Sequence, residues 1–187
     1  MLIQQFFTPK IAHSSYILVG SQSCAVVDPQ RDVDIYLDAT RALGVTITHV
    51  LHTHLHADFI SGHMDLAHAT GATIYAPRAG NCAFAHVPVT EGDTITLEDM
   101  ELRVLETPGH TPEHIAYVVT DLSRGADPIG VFVGDTLFVG DVGRPDICSR
   151  TSPIGWQGNS ITACMTSCSS SPTSARSTPR TGPVRCA

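Results

Sequence analysis

Two histidines and an aspartate stand close together in a short loop, where they could bind a transition metal. His54, His56 and Asp58 follow directly after the apolar run 45–51. This spacing presents imidazoles and a carboxylate to one point at the end of a strand, and these groups are the ligands that zinc and iron take from proteins. The loop therefore predicts a metal site.

Two later segments can complete such a site. His110 lies in residues 107–111, Thr-Pro-Gly-His-Thr, and Asp135 lies in residues 134–136, Gly-Asp-Thr. Each segment adjoins an apolar, strand-like run, so each can deliver one ligand from a strand end. Residues in such loops are held by a scaffold and often perform chemistry. We expect His54, His110 and Asp135 to converge on one point.

Most histidines in a protein do not bind a metal, and the chain has 10 of them. Those that lack this loop context are expected to have ordinary packing or surface roles: His13, His49, His52, His68 and His86.

These motifs resemble those of a known family. Residues 53–58, Thr-His-Leu-His-Ala-Asp, are similar to a metal motif of the metallo-β-lactamase superfamily, as are residues 107–111 and 134–138. Within that superfamily the chain resembles the bacterial persulfide (sulfur) dioxygenases, which are often fused to rhodanese domains. The resemblance covers residues 1–146 and implies an α/β fold, the αββα sandwich of two packed sheets flanked by helices.

Phe59 is the position that distinguishes the enzymes of this superfamily. Hydrolases usually carry histidine there, which completes a second metal site with Asp58. Phenylalanine cannot bind a metal, so a two-metal hydrolytic centre would lack a ligand. A simpler interpretation of Phe59 is apolar packing in a mutated hydrolase, and we prefer the one-metal interpretation.

The remaining ligand set is the two-histidine, one-carboxylate arrangement of non-haem Fe(II) enzymes, which leaves positions open for O2 and substrate. The resemblance makes His54, His110 and Asp135 the iron ligands. His56 and Asp58 then become groups that orient those ligands and tune the iron.

The resemblance implies an oxidoreductase with one Fe(II) per chain. Its substrate would be a persulfide of a small thiol, such as glutathione persulfide, oxidised by O2 to sulfite and free thiol. Arg144 matches a family arginine near the substrate and could pair with an anionic group, although a surface salt bridge is an equal alternative. The rival functions are a zinc-dependent hydrolase of a thioester or lactone, and an inactive product of a frameshift.

Strand and helix patterns alternate along the chain and place these residues at strand ends. Gly44 and Gly71 should end two helices. The helices are expected at 32–43 and 62–70, and the strands at 2–7, 15–19, 24–28, 45–51, 73–75, 94–97, 101–106, 114–119 and 130–133.

Composition narrows the function classes further. The net charge of -7 argues against a nucleic-acid partner. No long apolar span or cleavable N-terminal signal is evident, so no membrane association is expected. Only two of the six cysteines precede residue 147, which favours a reduced, cytoplasmic protein. A homodimer, a rhodanese partner and a lost fused rhodanese domain are left open.

Residues 147–187 differ from the rest of the chain. All 18 Asp and Glu residues and all 10 His lie in residues 1–146, whereas the tail is rich in Ser, Thr, Pro and Arg. If the gene is read one base out of frame, the codons of Met165 and Thr166 must contain an aspartate codon. Ordinary codon choices then permit a strand that ends in Tyr-Pro-Ala-His-Gly, similar to the last histidine motif of the superfamily. We infer a metallo-β-lactamase-like domain at 1–146 and a frameshifted tail, so that the sandwich is incomplete at its C-terminus.

The tail should lack a stable tertiary fold, because a tract with few apolar side chains cannot offset the entropy lost on ordering it. Limited proteolysis is expected to trim the chain to near Asp146 and to leave a resistant fragment. Replacing the tail with the shifted-frame sequence should raise the melting temperature. A protease-resistant tail, together with an unchanged melting temperature after replacement, would show that residues 147–187 are a genuine structural element.

Overall fold

The structure is a computed structural model, and it describes residues 1–138 and 141–143. These residues form two main β-sheets, a two-stranded hairpin and two α-helices. Arg144 and the tail 147–187 lie outside these residues. The elements in chain order are β1 (Leu2–Thr8), β2 (His13–Val19), β3 (Ser23–Val27), α1 (Asp34–Leu43), β4 (Thr46–Leu51), α2 (His63–Thr70), β5 (Thr73–Pro77), a 3-10 turn (Arg78–Gly80), β6 (Val87–Val89), β7 (Thr94–Leu97), β8 (Met100–Glu106), β9 (Ile115–Asp121), β10 (Pro128–Phe132), β11 (Leu137–Phe138) and β12 (Asp141–Val142).

The strands pair into two main sheets. The first has the order β1-β2-β3-β4-β5-β6, antiparallel from β1 to β3 and parallel from β3 to β6. The second is antiparallel and has the order β10-β9-β8-β7. Strands β11 and β12 form a separate small hairpin. The expected α/β class and the two-sheet architecture are confirmed.

The main core lies between the two sheets. Full burial of an aliphatic or aromatic side chain contributes about 1.5–3 kcal/mol, so this layer supplies much of the stability that holds the sheets face to face. Its buried members come from eight strands of the two sheets: Leu18, Ala25, Val27, Leu51, Val89, Ile95, Leu97, Met100, Leu102, Val104, Ile115, Tyr117, Val119 and Phe132.

A second core joins the two helices to the outer face of the first sheet. Tyr36 of α1 and Leu66 of α2 are fully buried against residues of β2 to β5. The helices end at Gly44 and Gly71, as expected, because each glycine adopts a positive φ of 70° or 74° that other residues rarely tolerate. Neither helix of the described residues is long and apolar enough to span a bilayer.

The ends of several strands meet at one edge of the molecule. Strands β3 and β4 are parallel neighbours with Val27 opposite Leu51, so the residues that follow them emerge side by side. The two sheets are also joined at this edge. The backbone N–H of Ile115 donates to the Thr53 carbonyl at 2.8 Å, and the buried Tyr117 hydroxyl donates to the His52 carbonyl at 2.8 Å. These bonds fix the loop after β4 against the start of β9.

Three short strands were not expected from the sequence. Strand β6 contains Pro88, which lacks a backbone donor and usually argues against a strand, but β6 lies at the edge of its sheet where a donor can be spared. Strands β11 and β12 have two residues each, too few for a periodic pattern.

Candidate metal centre

The three residues expected to bind a metal come together. One ligand atom from each of His54, His110 and Asp135 lies within 4.8 Å of the others. Asp135 Oδ2 is 3.9 Å from His54 Nε2 and 3.5 Å from His110 Nε2. They are delivered by three different loops: the loop after β4, the loop between β8 and β9, and the loop after β10.

This donor set fits a transition metal. Ligand atoms about 2.1 Å from a metal lie roughly 3.0–3.4 Å apart at octahedral or tetrahedral angles. The His110–Asp135 separation is already close to this range, and the His54–Asp135 separation would have to contract by roughly 0.5–0.9 Å on metal binding. The His54 side chain is 2% exposed, that of His110 14%, and that of Asp135 41%. The group is therefore buried on the histidine side and open on the carboxylate side, where further ligands could enter.

Thr53 and Asp28 determine how His54 is oriented. The Thr53 hydroxyl donates to Asp28 Oδ2 at 2.7 Å and lies 2.9 Å from His54 Nδ1. Because the hydroxyl proton is used toward Asp28, the Thr53 oxygen must accept a hydrogen from His54 Nδ1. We therefore assign the Nδ1–H tautomer to His54, which leaves the Nε2 lone pair facing Asp135 and His110.

The protonation state of His54 suits a metal ligand. Burial, together with the neighbouring His56, lowers its pKa to about 2, while Asp28 opposes the shift. The imidazole is therefore neutral at neutral pH, as metal binding requires. Burial also raises the pKa of Asp135, while His110 and His56 oppose that rise.

Asp28 holds a second group of polar side chains beside the first. It follows β3, its side chain is 6% exposed, and its Oδ1 accepts the Thr53 backbone N–H at 2.8 Å. His56 Nε2 lies 3.1 Å from the same oxygen in an ion-pair contact, and His52 Nδ1 lies 3.9 Å away. Asp28, His52 and His56 also have ligand atoms within 4.8 Å of one another.

The charges in this second group indicate that it holds the loop after β4 in place. Burial alone would raise the pKa of Asp28, but His56, together with His54 and His52, outweighs it and holds the pKa well below its ordinary value. Burial likewise opposes protonation of His56, yet the Asp28 carboxylate, with smaller help from Asp135 and Asp58, outweighs it and raises the pKa. Burial lowers the pKa of His52 to about 3. Asp28 and His56 thus form a buried ion pair, and both oxygens of Asp28 already accept hydrogen bonds from Thr53.

The Asp135 loop depends on a glycine. Gly134 has a φ of +49°, and a Cβ there would lie 2.5 Å from Thr53 Oγ1 and 2.6 Å from His114 Nε2. His114 is 1% exposed, and its Nε2 accepts the Asp135 backbone N–H at 3.1 Å. Burial lowers its pKa to about 3. The close approach of the Thr53 and His114 side chains to this backbone explains why Gly precedes Asp135.

Phe59 packs beside the site. Its ring centroid is 4.2 Å from that of His13 and 4.5 Å from that of His56. His13 Nε2 in turn lies 2.8 Å from the Asp28 carbonyl oxygen. Asp58 is exposed and lies outside both donor groups of the described residues. The role of Asp58 in orienting the ligands stays a prediction.

Sequence reasoning missed several residues of this edge. His13 and His52 were expected to have ordinary roles, and Asp28 and His114 were not singled out. A signal for Asp28 was present, since it directly follows an apolar strand and precedes Pro29. What the sequence did not reveal is that β3 pairs in parallel with β4, which places Asp28 next to the histidine loop.

A sequence comparison identifies relatives of this chain. The family model described as "Metallo-beta-lactamase superfamily" matches residues 9–167. A hydroxyacylglutathione hydrolase of Rhodospirillum rubrum is 41% identical over 124 residues, which cover 65% of this chain and 46% of that protein. A probable metallo-hydrolase of Burkholderia pseudomallei is 34% identical, with 76% and 60% covered. The chain thus spans about half the length of the curated relatives it matches.

Solved structures of similar fold include two with substantial sequence identity. A metallo-β-lactamase from Staphylococcus aureus is 39% identical with a TM-score of 0.72, covering 79% of this chain and 47% of that one. ETHE1 from Myxococcus xanthus is 30% identical with a TM-score of 0.75, covering 87% and 68%.

Replacing Asp28 with asparagine should destabilise the metal-free protein by about 3–5 kcal/mol, because it removes one partner of a buried ion pair. His56 contributes most below its ordinary pKa of 6.5, and Asp28 contributes most above its ordinary pKa of 3.8. The loss should therefore be largest between these two pH values. It should shrink as the pH falls through the depressed pKa of Asp28 or rises through the raised pKa of His56.

Urea unfolding across this pH range measures the effect. Asp32→Asn, an exposed aspartate near β3, is the matched control and should change the unfolding free energy by less than about 0.5 kcal/mol. Equal losses in the two variants, or a loss that does not vary with pH, would show that Asp28 and His56 do not form a stabilising pair.

Proposed function

The chain belongs to the metallo-β-lactamase superfamily, and on that premise we propose that it is a one-iron dioxygenase of thiol persulfides. His54, His110 and Asp135 would hold one Fe(II). The observation that carries the proposal is the donor group itself, in which two imidazoles and one carboxylate converge while the side chain next to Asp58 is Phe59. Such a set is typical of iron enzymes that use O2 and leaves positions open.

Phe59 supports one metal rather than two. Its ring lies against His13 and His56 and offers no ligand atom. Asp58 is exposed and would be left to hold a second metal without the histidine that hydrolases usually place beside it. Zinc at the first position remains the alternative metal, because the same three donors also suit zinc.

The overall reaction would convert a persulfide, O2 and water into a free thiol and sulfite. Both atoms of O2 pass to the terminal sulfur, the sulfur–sulfur bond breaks, and water supplies the third oxygen. When bound, Fe(II) would supply the redox chemistry that lets O2 react with the sulfur. The protein would position the reactants and limit access of solvent to them.

A cavity beside the donor group can receive the sulfur-bearing end of the substrate. It has a volume of about 200 Å³ and is bounded by Asp135 and His56 on one side. Tyr16, Phe132 and Phe138 also line it, together with other residues of β1, β2 and β11. The partly exposed Asp135 carboxylate faces this cavity, so a substrate there would be next to the open positions of a bound metal. The substrate role of Arg144 stays a prediction.

Hydrolysis is the second candidate function. It is favoured by relatives named hydroxyacylglutathione hydrolase, which are up to 41% identical to this chain. In that case zinc would activate a water for attack on a glutathione thioester. Both candidates act on a group attached to the sulfur of glutathione, so the substrates are similar and the reactions are different.

Metal analysis combined with two assays separates the candidates. Protein reconstituted with Fe(II) without oxygen should hold one iron per chain, consume O2 with glutathione persulfide and release sulfite. His54→Ala should abolish these activities, whereas the exposed His68→Ala should leave them unchanged. Hydrolysis of a hydroxyacylglutathione by the zinc form, without O2 uptake by the iron form, would establish the hydrolase instead.

Phe59→His should raise the metal content above one equivalent per chain, because it adds a nitrogen donor beside Asp58. Metal content is measured after dialysis against zinc. Phe7→His, which adds a histidine at a position that is 58% exposed on β1, controls for non-specific binding by an extra histidine. If Phe59→His binds no more metal than this control, Phe59 is not what keeps the site mononuclear.

A further inference from the structure

His114 is a buried histidine that the proposed chemistry does not use. It directly precedes β9, is 1% exposed, and has hydrogen-bond partners on both ring nitrogens. Its Nδ1 lies 2.8 Å from Thr107 Oγ1 and 3.1 Å from Thr136 Oγ1. Buried groups so fully paired have a defined orientation and resist substitution.

The hydrogen bonds assign one tautomer to His114. The backbone N–H of Asp135 can only donate, so His114 Nε2 must accept and carry no hydrogen. The hydrogen of the neutral ring is therefore on Nδ1, from where it is donated to the two threonine hydroxyls. A side chain that cannot both donate and accept at these positions would leave at least one buried polar group unpaired.

The His114 ring also lies against the two histidines of the donor group, His54 and His110. Its face stacks on His54 with ring centroids 4.9 Å apart and an interplanar angle of 23°. The His110 ring is nearly perpendicular to it, at 6.5 Å. His114 belongs to the loop that supplies His110. Because Gly134 allows the Asp135 loop to approach within hydrogen-bonding distance, this one side chain also contacts the two other loops that supply the donors.

We infer that His114 is a positioning residue that sets the separation between His54 and Asp135 and thereby the affinity and geometry of the bound metal. The ring face limits where the His54 imidazole can lie, and the ring edge fixes the backbone from which the Asp135 carboxylate projects. The inference rests on the metal site of the proposed function, but it is independent of whether the reaction is oxygenation or hydrolysis.

Cobalt(II) binding tests the inference, because its visible spectrum reports ligand geometry and its affinity can be measured by competition with a chelator. His114→Phe keeps an aromatic ring but loses the hydrogen bonds of both ring nitrogens, and it should lower the Co(II) affinity about 10–100-fold and alter the spectrum. His114→Gln can still accept from the Asp135 N–H and should lose less affinity. His49→Phe is the matched control, since His49 stacks on Tyr75 instead of on the donor group.

Thr136→Val provides a test that leaves His114 in place. It removes one acceptor of the Nδ1 hydrogen, so the affinity should fall by a smaller factor than in His114→Phe. The two changes combined should weaken binding by less than the product of their separate factors, because both act through one hydrogen-bonded unit. This variant and His114→Gln decide the matter if His114→Phe does not fold.

Several outcomes would overturn the inference. Wild-type affinity and spectrum in His114→Phe would overturn it while leaving the metal site intact. A lower melting temperature in the metal-free variant with unchanged Co(II) affinity would assign His114 a purely structural role. Failure of the wild-type protein to bind Co(II) stoichiometrically would overturn both this inference and the proposed function.

Discussion

The buried carboxylate of Asp28 is the interaction on which the arrangement of the site depends. It binds the backbone and hydroxyl of Thr53, pairs with His56, and through Thr53 determines which nitrogen of His54 faces the other donors. A carboxylate buried to this degree is costly unless it is paired. The loop after β4 supplies those partners, so the same contacts that stabilise the charge also orient the first metal-binding histidine.

Sheet topology explains why so many polar groups meet at one place. Strands β3 and β4 run in parallel, and β9 begins beside the point where β10 ends, so four loops open onto one edge. The hydrogen bond from Ile115 to Thr53 joins the two sheets there. Both sheets therefore hold the loops at this edge in place, so their side chains can keep one geometry. The carboxylate side of the donor group stays open.

Much of this arrangement could be predicted from local patterns. The apolar runs and the glycines at 44 and 71 gave both helices and most strands, and the spacing of His54, His110 and Asp135 gave three residues that do converge. Asp28 and His114 could not be found in the same way. Their importance comes from long-range pairing, between β3 and β4 and between the β9 and β10 loops, which leaves no periodic signal in the sequence.

The proposed dioxygenase and the rival hydrolase would share this scaffold, and small changes around the donor group would separate them. In the proposed function, Phe59 stands where a nitrogen donor would support a second metal, and its lack of a ligand atom is the reason for expecting a single iron instead of a hydrolytic pair of metals. The relatives named hydroxyacylglutathione hydrolase are the reason that hydrolysis stays the second candidate. Function here is decided by the site and not by the fold.

The most direct measurement is anomalous diffraction at the iron edge from crystals of the protein reconstituted with Fe(II) in the absence of oxygen. We predict one peak per chain, about 2.0–2.2 Å from His54 Nε2, His110 Nε2 and an Asp135 carboxylate oxygen. Two iron peaks in this part of the protein, or a single peak between Asp28, His52 and His56, would contradict a mononuclear site held by His54, His110 and Asp135.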